Sequence, residues 1–317
     1  GWTCNGRAVW ANEAPPRGVR REPDQRAPVL LTDETKSVAE ADAMAARGAT
    51  INEVFAFLRT RLSLDAFGLL MISLPRADFP ALSKLLPRMA SDETQRNFTG
   101  NCGKVLLGQT VSFVRALAYN YAALRNRSLS GARIMDYGCG YGRISRMLYY
   151  YTDPEAIWAV DPWDLAVSLC REAGMVGNIA QSDYLPTSLP APEAAFDVMF
   201  AFSVFTHTSR NATNAALSAL RRHIAPNGLL VITIRPPEYW VVNPEYAPQA
   251  DAFKAKHDAD GFAFAPHGRD TVEGEATYGD TSMTLDFLAQ NYPDWRIEGT
   301  DWALADPYQR YVFLTPA

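Results

Sequence analysis

The stretch Ile134-Met135-Asp136-Tyr137-Gly138-Cys139-Gly140-Tyr141-Gly142-Arg143 decides the fold. An apolar run ends in an acid and glycines follow at alternate positions. Ile144, Met147, Leu148 and Tyr151 then recur at i, i+3, i+4 and i+7, the spacing of one helix face. The pattern predicts a strand, a tight loop and a helix. Glycine at 138, 140 and 142 lets the chain turn with positive φ and leaves bare backbone N–H groups for a ligand at a helix N-terminus. Such a loop is a nucleotide-type site. A dinucleotide fingerprint would carry a glycine where Arg143 stands, and the carboxylate of Asp136 would repel a pyrophosphate. Beside an ammonium the same carboxylate is a charge-assisted acceptor, so the expected ligand has a cationic amino-acid end.

Strands and helices alternate outward from this loop. Ile157 to Val160 is a short apolar strand ending in Asp161, and Ala166, Leu169, Cys170 and Ala173 mark a helix. Asn178 to Gln181 is a weaker strand before Ser182-Asp183-Tyr184. Phe196 to Phe202 is a buried strand, Leu217, Leu220 and Ile224 a helix stopped by Pro226 and Gly228, and Leu229 to Ile234 a further strand. This rhythm predicts a parallel sheet covered on both faces, with ligands beyond the carboxyl ends of its strands. The residues just past those ends are Asp136, Asp161, Asp183, Ser203 and Arg235. An acid about twenty residues past a glycine loop takes ribose hydroxyls in nucleotide-binding α/β folds, although Asp161 could equally cap the helix that follows it.

Taken as a whole, the run from Ile134 to Arg143 resembles motif I of the class I S-adenosylmethionine-dependent methyltransferases. The resemblance extends over about Gly131 to Pro236 and again over Trp295 to Pro316. It implies a Rossmann-like α/β fold, a mostly parallel sheet closed by a C-terminal antiparallel hairpin, with S-adenosyl-L-methionine as cofactor. It also implies that Gly138, Gly140 and Gly142, with Tyr141 beside them, pass under the methionine moiety, and that Asp161 and Pro162 meet the ribose. Asp183, flanked by Ser182 and Tyr184, would meet the adenine. Phe196 to His207 resembles motif IV and its continuation, which sets Phe202 and Ser203 at the methionine end and Phe205 near the adenosine.

The N-terminal part reads as an irregular arm from Gly1 to Pro28, docked in places by Trp2 and Trp10, and then as helices. Asp33 to Arg47 is rich in helix formers, and Thr50 with Glu53 is a capping-box signature ahead of Val54, Phe55, Phe57 and Leu58. A third helix follows Asp78, with Leu82, Leu85, Leu86 and Met89 at helical spacing up to a break near Pro87, and a fourth carries Leu107, Val111, Val114, Ala118 and Tyr121. Between the last two lies Phe98-Thr99-Gly100-Asn101-Cys102-Gly103. It reads as a helix–helix loop; alternatively, because the segment before the core often folds over the cofactor in similar methyltransferases, Thr99 and Gly100 are candidate cofactor contacts. The domains expected are 1–128, an arm and helical cap, and 129–317, the methyltransferase domain, with an insertion over 236–280.

That insertion, rich in proline, aromatics and acids, is expected to form the acceptor pocket, since long loops inside compact domains are usually lids or binding segments. Beyond it Leu285, Phe287 and Leu288 mark a helix, and Trp295 to Trp302 and Tyr308 to Leu314 two strands. Methyl transfer from a sulfonium is an in-line displacement, so a base is needed only for a hydroxyl or a protonated amine. The candidate catalytic residues are His207, just past the fourth strand, and His267 in the insertion; His207 could instead tie its loop by a ring hydrogen bond. His223, late in a helix, is expected to cap it.

With 317 residues, 48% of them hydrophobic, the chain has room for a real core, and its net charge of −5 argues for a small-molecule acceptor rather than a nucleic acid. Cys4, Cys102, Cys139 and Cys170 lack zinc or disulfide spacing, and Asp258-Ala259-Asp260-Gly261 lacks the remaining calcium ligands, so no metal is expected. A reducing cytoplasm fits, with no spanning segment or secretory leader seen; the chain starts at Gly1 rather than Met, as a piece of something longer would. The reading is a methyltransferase acting on a small hydroxylated acceptor. A sugar or glycan precursor is favoured by resemblance of the SVFTH, TGN and YQRY segments to bacterial enzymes of that kind. The rivals are a silent cofactor-binding scaffold and an NAD-dependent oxidoreductase. Oligomeric state is open.

Overall fold

The computed structural model describes residues 30–268 and 271–317, so the arm expected over Gly1 to Pro28, with Trp2, Trp10 and Cys4, lies outside the described residues. The chain divides into a unit of Gly1–Val111 and one of Ser112–Ala317.

The first unit is helical: α1 Thr32–Ala46, α2 Ile51–Arg61, α3 Leu64–Ser73, α4 Pro80–Leu85, α5 Asp92–Thr99 and the start of α6, Gly103–Arg125. The capping box of α2 forms as its sequence requires, the Thr50 N–H donating to Glu53 Oε2 at 2.7 Å and the Glu53 N–H to Thr50 Oγ1 at 3.3 Å. The helix expected to break near Pro87 ends at Leu85. Leu86 precedes Pro87 and is extended, because proline disfavours the helical region for the residue before it. At its other end, Asp42 of α1 accepts the Ala81 and Leu82 N–H groups that open α4. The glycine-rich link is the end of α5. Gly100 is its left-handed cap at φ 77°, Thr99 Oγ1 bonds the Gln95 carbonyl at 2.7 Å, and the buried Gln95 side chain accepts from the Gly103 N–H.

The second unit is built on a sheet of order β3-β2-β1-β4-β5-β9-β8. β1 Ile134–Tyr137, β2 Ile157–Asp161, β3 Asn178–Gln181, β4 Phe196–Ala201 and β5 Ile224–Ile234 run parallel. β9 Asp306–Pro316 pairs antiparallel with β5 and with β8 Trp295–Ala303. Met135, Val160, Met199, Leu230 and Val312 are buried in a continuous core with Ala216, Leu217 and Leu220 of the covering helix α9, Arg210–His223. The second half of α6 belongs to this unit, because Phe113 packs edge-on against Phe200, Phe202 and Tyr311 with ring centroids 4.7 to 5.4 Å apart.

Two elements around the glycine loop and β4 differ in extent from the sequence pattern. The helix after the glycine loop, α7, is only Ser145–Leu148; beyond it the Tyr150 and Tyr151 N–H groups bond carbonyls three residues back, and the Tyr149 hydroxyl is held by the Val176 carbonyl. β5 starts at Ile224, earlier than expected, and a register shift between Phe196 and Val198 accommodates the extra residues. α8, Asp164–Glu172, follows β2 as its spacing predicts.

The insertion is ordered structure rather than a bare lid. It comprises α10 Tyr239–Val242, α11 Ala250–Asp260 and an antiparallel pair, β6 Phe262–Pro266 with β7 Gly279–Met283, before α12 Leu285–Asn291. Its own core sets Trp240 flat on Phe253, ring centroids 4.2 Å apart, with Tyr246 edge-on to both. β7 is tied to the chain after β4, since the Gly279 N–H donates to His207 O and the Thr281 N–H to Thr206 O. Among the described residues, no helix is long and apolar enough to cross a membrane.

Candidate active site

The glycine loop leaves β1 beside β4, at the point where strand order reverses and ligands of such sheets bind. Gly138, Gly140 and Gly142 have φ of 80°, 55° and 76°, which L side chains rarely adopt. A Cβ at Gly138 would lie 2.3 Å from Val204 Cγ2, and one at Gly142 2.0 Å from Met175 Sδ. The loop is held from below by Arg146, a fully buried residue that the sequence reading passed over. Its Nε donates to Gly142 O at 2.9 Å and its Nη2 to Tyr141 O at 3.0 Å. The thiols of Cys139 and Cys170 both bond Gly140 O, and their mutual contact together with burial pushes the Cys139 thiol well up.

Acids flank the loop as the sequence places them. Asp136 is 2% exposed, accepts from Ser145 Oγ at 2.6 Å, and has its pKa pushed up by burial to about 7. Asp161 Oδ2 accepts the Gly140 N–H and Oδ1 the Trp163 N–H, both at 2.9 Å. It thus joins the loop to the start of α8. Ser182 donates its N–H to Asp161 O, and its hydroxyl is buried with no partner. Pro162 and Tyr184 are half-buried, and Asp183 is exposed.

Past β4 the chain turns at Ser203, a non-glycine residue at φ 60° whose N–H donates to Thr233 Oγ1 at 2.7 Å. Its hydroxyl meets Thr206 Oγ1 at 3.3 Å and accepts from Gln309 Nε2 at 3.0 Å. Phe205 and Tyr141 are buried, and Phe202 lies between Tyr311 and the Arg143 guanidinium, which is 5.2 Å from its ring centre. The carbonyl of Gln309 and the hydroxyl of Tyr311 are buried without partners. Thr99 and Gly100 belong to the first unit, where they end α5.

A second polar cluster centres on Asp280 of β7, which periodicity could not pick out of an insertion. Its Oδ1 accepts from Arg235 and, at 2.8 Å, from the Tyr239 hydroxyl; its Oδ2 accepts from the Tyr246 hydroxyl at 2.9 Å and from His267 Nε2 at 2.8 Å. Burial would raise the Asp280 pKa, but the His267 bond and the Arg235 charge hold it well below the usual carboxylate range. His207 Nδ1 is 2.8 Å from Gly279 O and its Nε2 3.0 Å from an Arg235 nitrogen. These partners fix the tautomer: Nδ1–H donates to the carbonyl and Nε2 accepts from the guanidinium. Burial, and then the Arg235 charge, take the His207 pKa down to about 3.

Ligand atoms of His207, His267 and Asp280 lie within 4.8 Å of one another, a grouping that could hold a metal. The Arg235 guanidinium, bonded to both His207 and Asp280, already supplies the positive charge there and would repel a second cation. His223, expected as a helix cap, instead faces the loop before β4: its Nε2 accepts the Leu189 N–H at 3.0 Å and its Nδ1 meets Pro192 O at 3.0 Å. The ring is fully buried, and the helix ends on the backbone of Ile224.

Residues 134–228 match the family described as methyltransferase domain. Among solved structures, the protein titled DhpI-SAH complex is 16% identical with a TM-score of 0.41, over 68% of this chain and 99% of its own. Magnesium protoporphyrin IX methyltransferase from Synechocystis, with bound SAH, is 15% identical with a TM-score of 0.44, over 70% of this chain and 92% of its own. A methyltransferase from Mesorhizobium loti is 17% identical with a TM-score of 0.40, over 62% of this chain and 97% of its own. These likenesses assign no role to any residue of this chain. The family match begins at β1, takes in the glycine loop and ends inside β5, so what the chain resembles over residues 134–228 is a methyltransferase domain.

Proposed function

We propose that this protein transfers the methyl group of S-adenosylmethionine to a hydroxyl of a small acceptor, with His267 as the base. The observation that carries this reading is the His267–Asp280 pair. An imidazole whose Nε2–H is bound to a permanently ionised carboxylate keeps Nδ1 as a proton acceptor, oriented and charge-stabilised as a general base should be. His207 has both ring nitrogens engaged and a pKa near 3, which suits a tie between β7 and the chain after β4 better than proton transfer.

When bound, the cofactor supplies an electrophilic methyl on a sulfonium. The residues of this chain fit it. Gly138, Gly140 and Gly142 hold the positive-φ turn, in which a Cβ at 138 or 142 would clash, and Asp136, once ionised, is an acceptor for the ammonium. Asp161, the acid that ends β2, would meet the ribose hydroxyls, and the unpartnered Ser182 hydroxyl, beside Pro162, Asp183 and Tyr184, is a contact for the base end. Tyr141, Phe202 and Ser203 would wall the methionine side, and Phe205 would pack near the adenosine.

The experiment is calorimetry with S-adenosylmethionine and with NAD, followed by methyl release over a panel of sugars, hydroxy acids and hydroxylated amino acids. Cofactor binding with a methylated hydroxyl is expected. Binding without transfer to any acceptor would favour the silent scaffold, and NAD binding alone would overturn the reading.

A further inference from the structure

We infer that the methyltransferase unit holds its acceptor, a hydroxylated amino acid, by a pocket that takes the zwitterionic group and the apolar part of its side chain; the word acceptor rests on the function proposed above, the pocket does not. A cavity of about 300 Å3 lies just past the end of β5. That is the lower end of small-molecule sites, and the location is the end of a parallel strand where they occur. Pro236, Met283 and Leu285 give it apolar walls, and His257, Asp286 and Arg310 give it polar groups.

Arg310 and Asp286 have no ion-pair partner among the described residues, and although they line one cavity they do not pair with each other. A cation and an anion held apart at one site match a molecule that presents the opposite charges side by side, a carboxylate for the guanidinium and an ammonium for the carboxylate. A simple anion would meet repulsion from Asp286, and a simple cation from Arg310. The deeper wall is set by His257, 4% exposed, whose Nδ1 is 2.9 Å from Ser282 Oγ. That hydroxyl accepts from Trp240 Nε1 at 2.7 Å. The ring is therefore fixed, burial keeps it neutral, and Nε2 is left for a hydrogen bond to the ligand. An unmodified sugar fits less well, because hydroxyls set against Pro236, Met283 and Leu285 would lose their hydrogen bonds to water without replacement. Arg235 lines the same cavity and contacts Asp280, so a molecule seated here adjoins the His267–Asp280 pair.

The test is calorimetry on the full chain with L-phenylalanine, 3-phenylpropionate and 2-phenylethylamine. L-phenylalanine should bind at least about tenfold more tightly than either truncated probe, the equivalent of one charge-assisted bond. Arg310→Ala should reduce it to the level of the amine, Asp286→Asn to that of the acid, and Leu285→Trp, which fills the cavity, should abolish it. S-adenosylmethionine binding, measured on every variant, reports that the unit is folded. Equal affinity for the three probes, no binding at millimolar L-phenylalanine, or binding that survives Leu285→Trp would overturn the pocket. A sugar methylated in preference to hydroxylated amino acids would overturn its role for the acceptor. Loss of S-adenosylmethionine binding with intact L-phenylalanine binding would count against the proposed function alone.

Discussion

Asp136→Asn separates what the glycine-loop acid does for folding from what it does for the cofactor. Asp136 is buried and its pKa rises from an ordinary 3.8 to about 7. At about 1.4 kcal/mol for each tenfold in the equilibrium, that difference amounts to about 4 kcal/mol. The sign follows from proton binding. Between pH 4 and 7 the unfolded chain has released this proton and the folded chain still holds it, so stability falls as pH rises through that window. The amide of the variant cannot ionise. Asp136→Asn should therefore unfold at a higher urea midpoint than the parent at pH 8, by at most about 4 kcal/mol, and match it near pH 4. Binding should show the opposite. If only the carboxylate accepts the ammonium, the apparent affinity scales with the ionised fraction, which is about tenfold larger at pH 8 than at pH 6. Calorimetry with S-adenosylhomocysteine should show that rise in the parent and its absence in Asp136→Asn, whose affinity at pH 8 should be lower by about 1.5 to 3 kcal/mol, as for a lost charge-assisted bond. A flat affinity in the parent from pH 6 to 8, or a variant destabilised equally at pH 4 and pH 8, would refute the assignment.

Gly138→Ala should cost about 2 to 5 kcal/mol, from a left-handed residue plus a 2.3 Å clash with Val204 Cγ2. Adding Val204→Ala should recover only the steric part, so denaturation of the double mutant checks the partition. Arg146→Met keeps volume but leaves Gly142 O and Tyr141 O without their guanidinium; it should weaken cofactor affinity more than it shifts the urea midpoint, since a buried charge costs desolvation as well. Asp280→Asn strands the buried Arg235 and should cost about 3 to 5 kcal/mol at pH 7, a difference that shrinks as pH falls below the ordinary carboxylate range, where the unfolded parent takes up a proton that the folded carboxylate does not. His267→Gln should lower turnover about 10² to 10⁴-fold with unchanged cofactor affinity. His207→Gln should instead act on stability. The His207 pKa near 3 lies below its unfolded value of about 6.5, so the parent loses stability as pH falls through that window and the variant should lose less. Equal turnover losses in the two histidine variants would mean that the base is misassigned.

Wherever a residue's type and its neighbours in sequence determine its environment, the site was legible. Alternating glycines, the acids ending β1 and β2, and the apolar runs of β4 and β5 are local signals, and the strands fall within a few residues of their sequence limits. α3 was missed because it is apolar on nearly every face and so shows no period, and α5 because its one buried residue is the polar Gln95. Arg146 carries no sign in sequence that it is buried, being the second residue of a four-residue helix. Asp280 gains its meaning from β5, α10 and the chain after β4, all distant in sequence. A further signal was available for Asp280, since it begins a run, Asp280-Thr281-Ser282, that is too polar for a buried strand unless its partners are polar as well.

The two clusters hold their carboxylates in opposite states. Asp136 has one hydroxyl donor, another acid nearby and no guanidinium bonded to it among the described residues, so burial dominates and its charge is available only when something cationic arrives. Asp280 is nearly as buried, yet Arg235, His267 and paired tyrosine hydroxyls saturate its oxygens, and its charge is permanent. The first arrangement suits reversible binding, because a carboxylate that still shares its proton near neutral pH when empty avoids the full cost of a lone buried anion between turnovers. The second suits orientation, because a base is positioned only as well as the group that holds it. A proton acceptor at His267 therefore depends on Arg235, which acts on it through Asp280: replacing the guanidinium would let the Asp280 pKa rise under burial and remove the charge that holds the His267 tautomer in place.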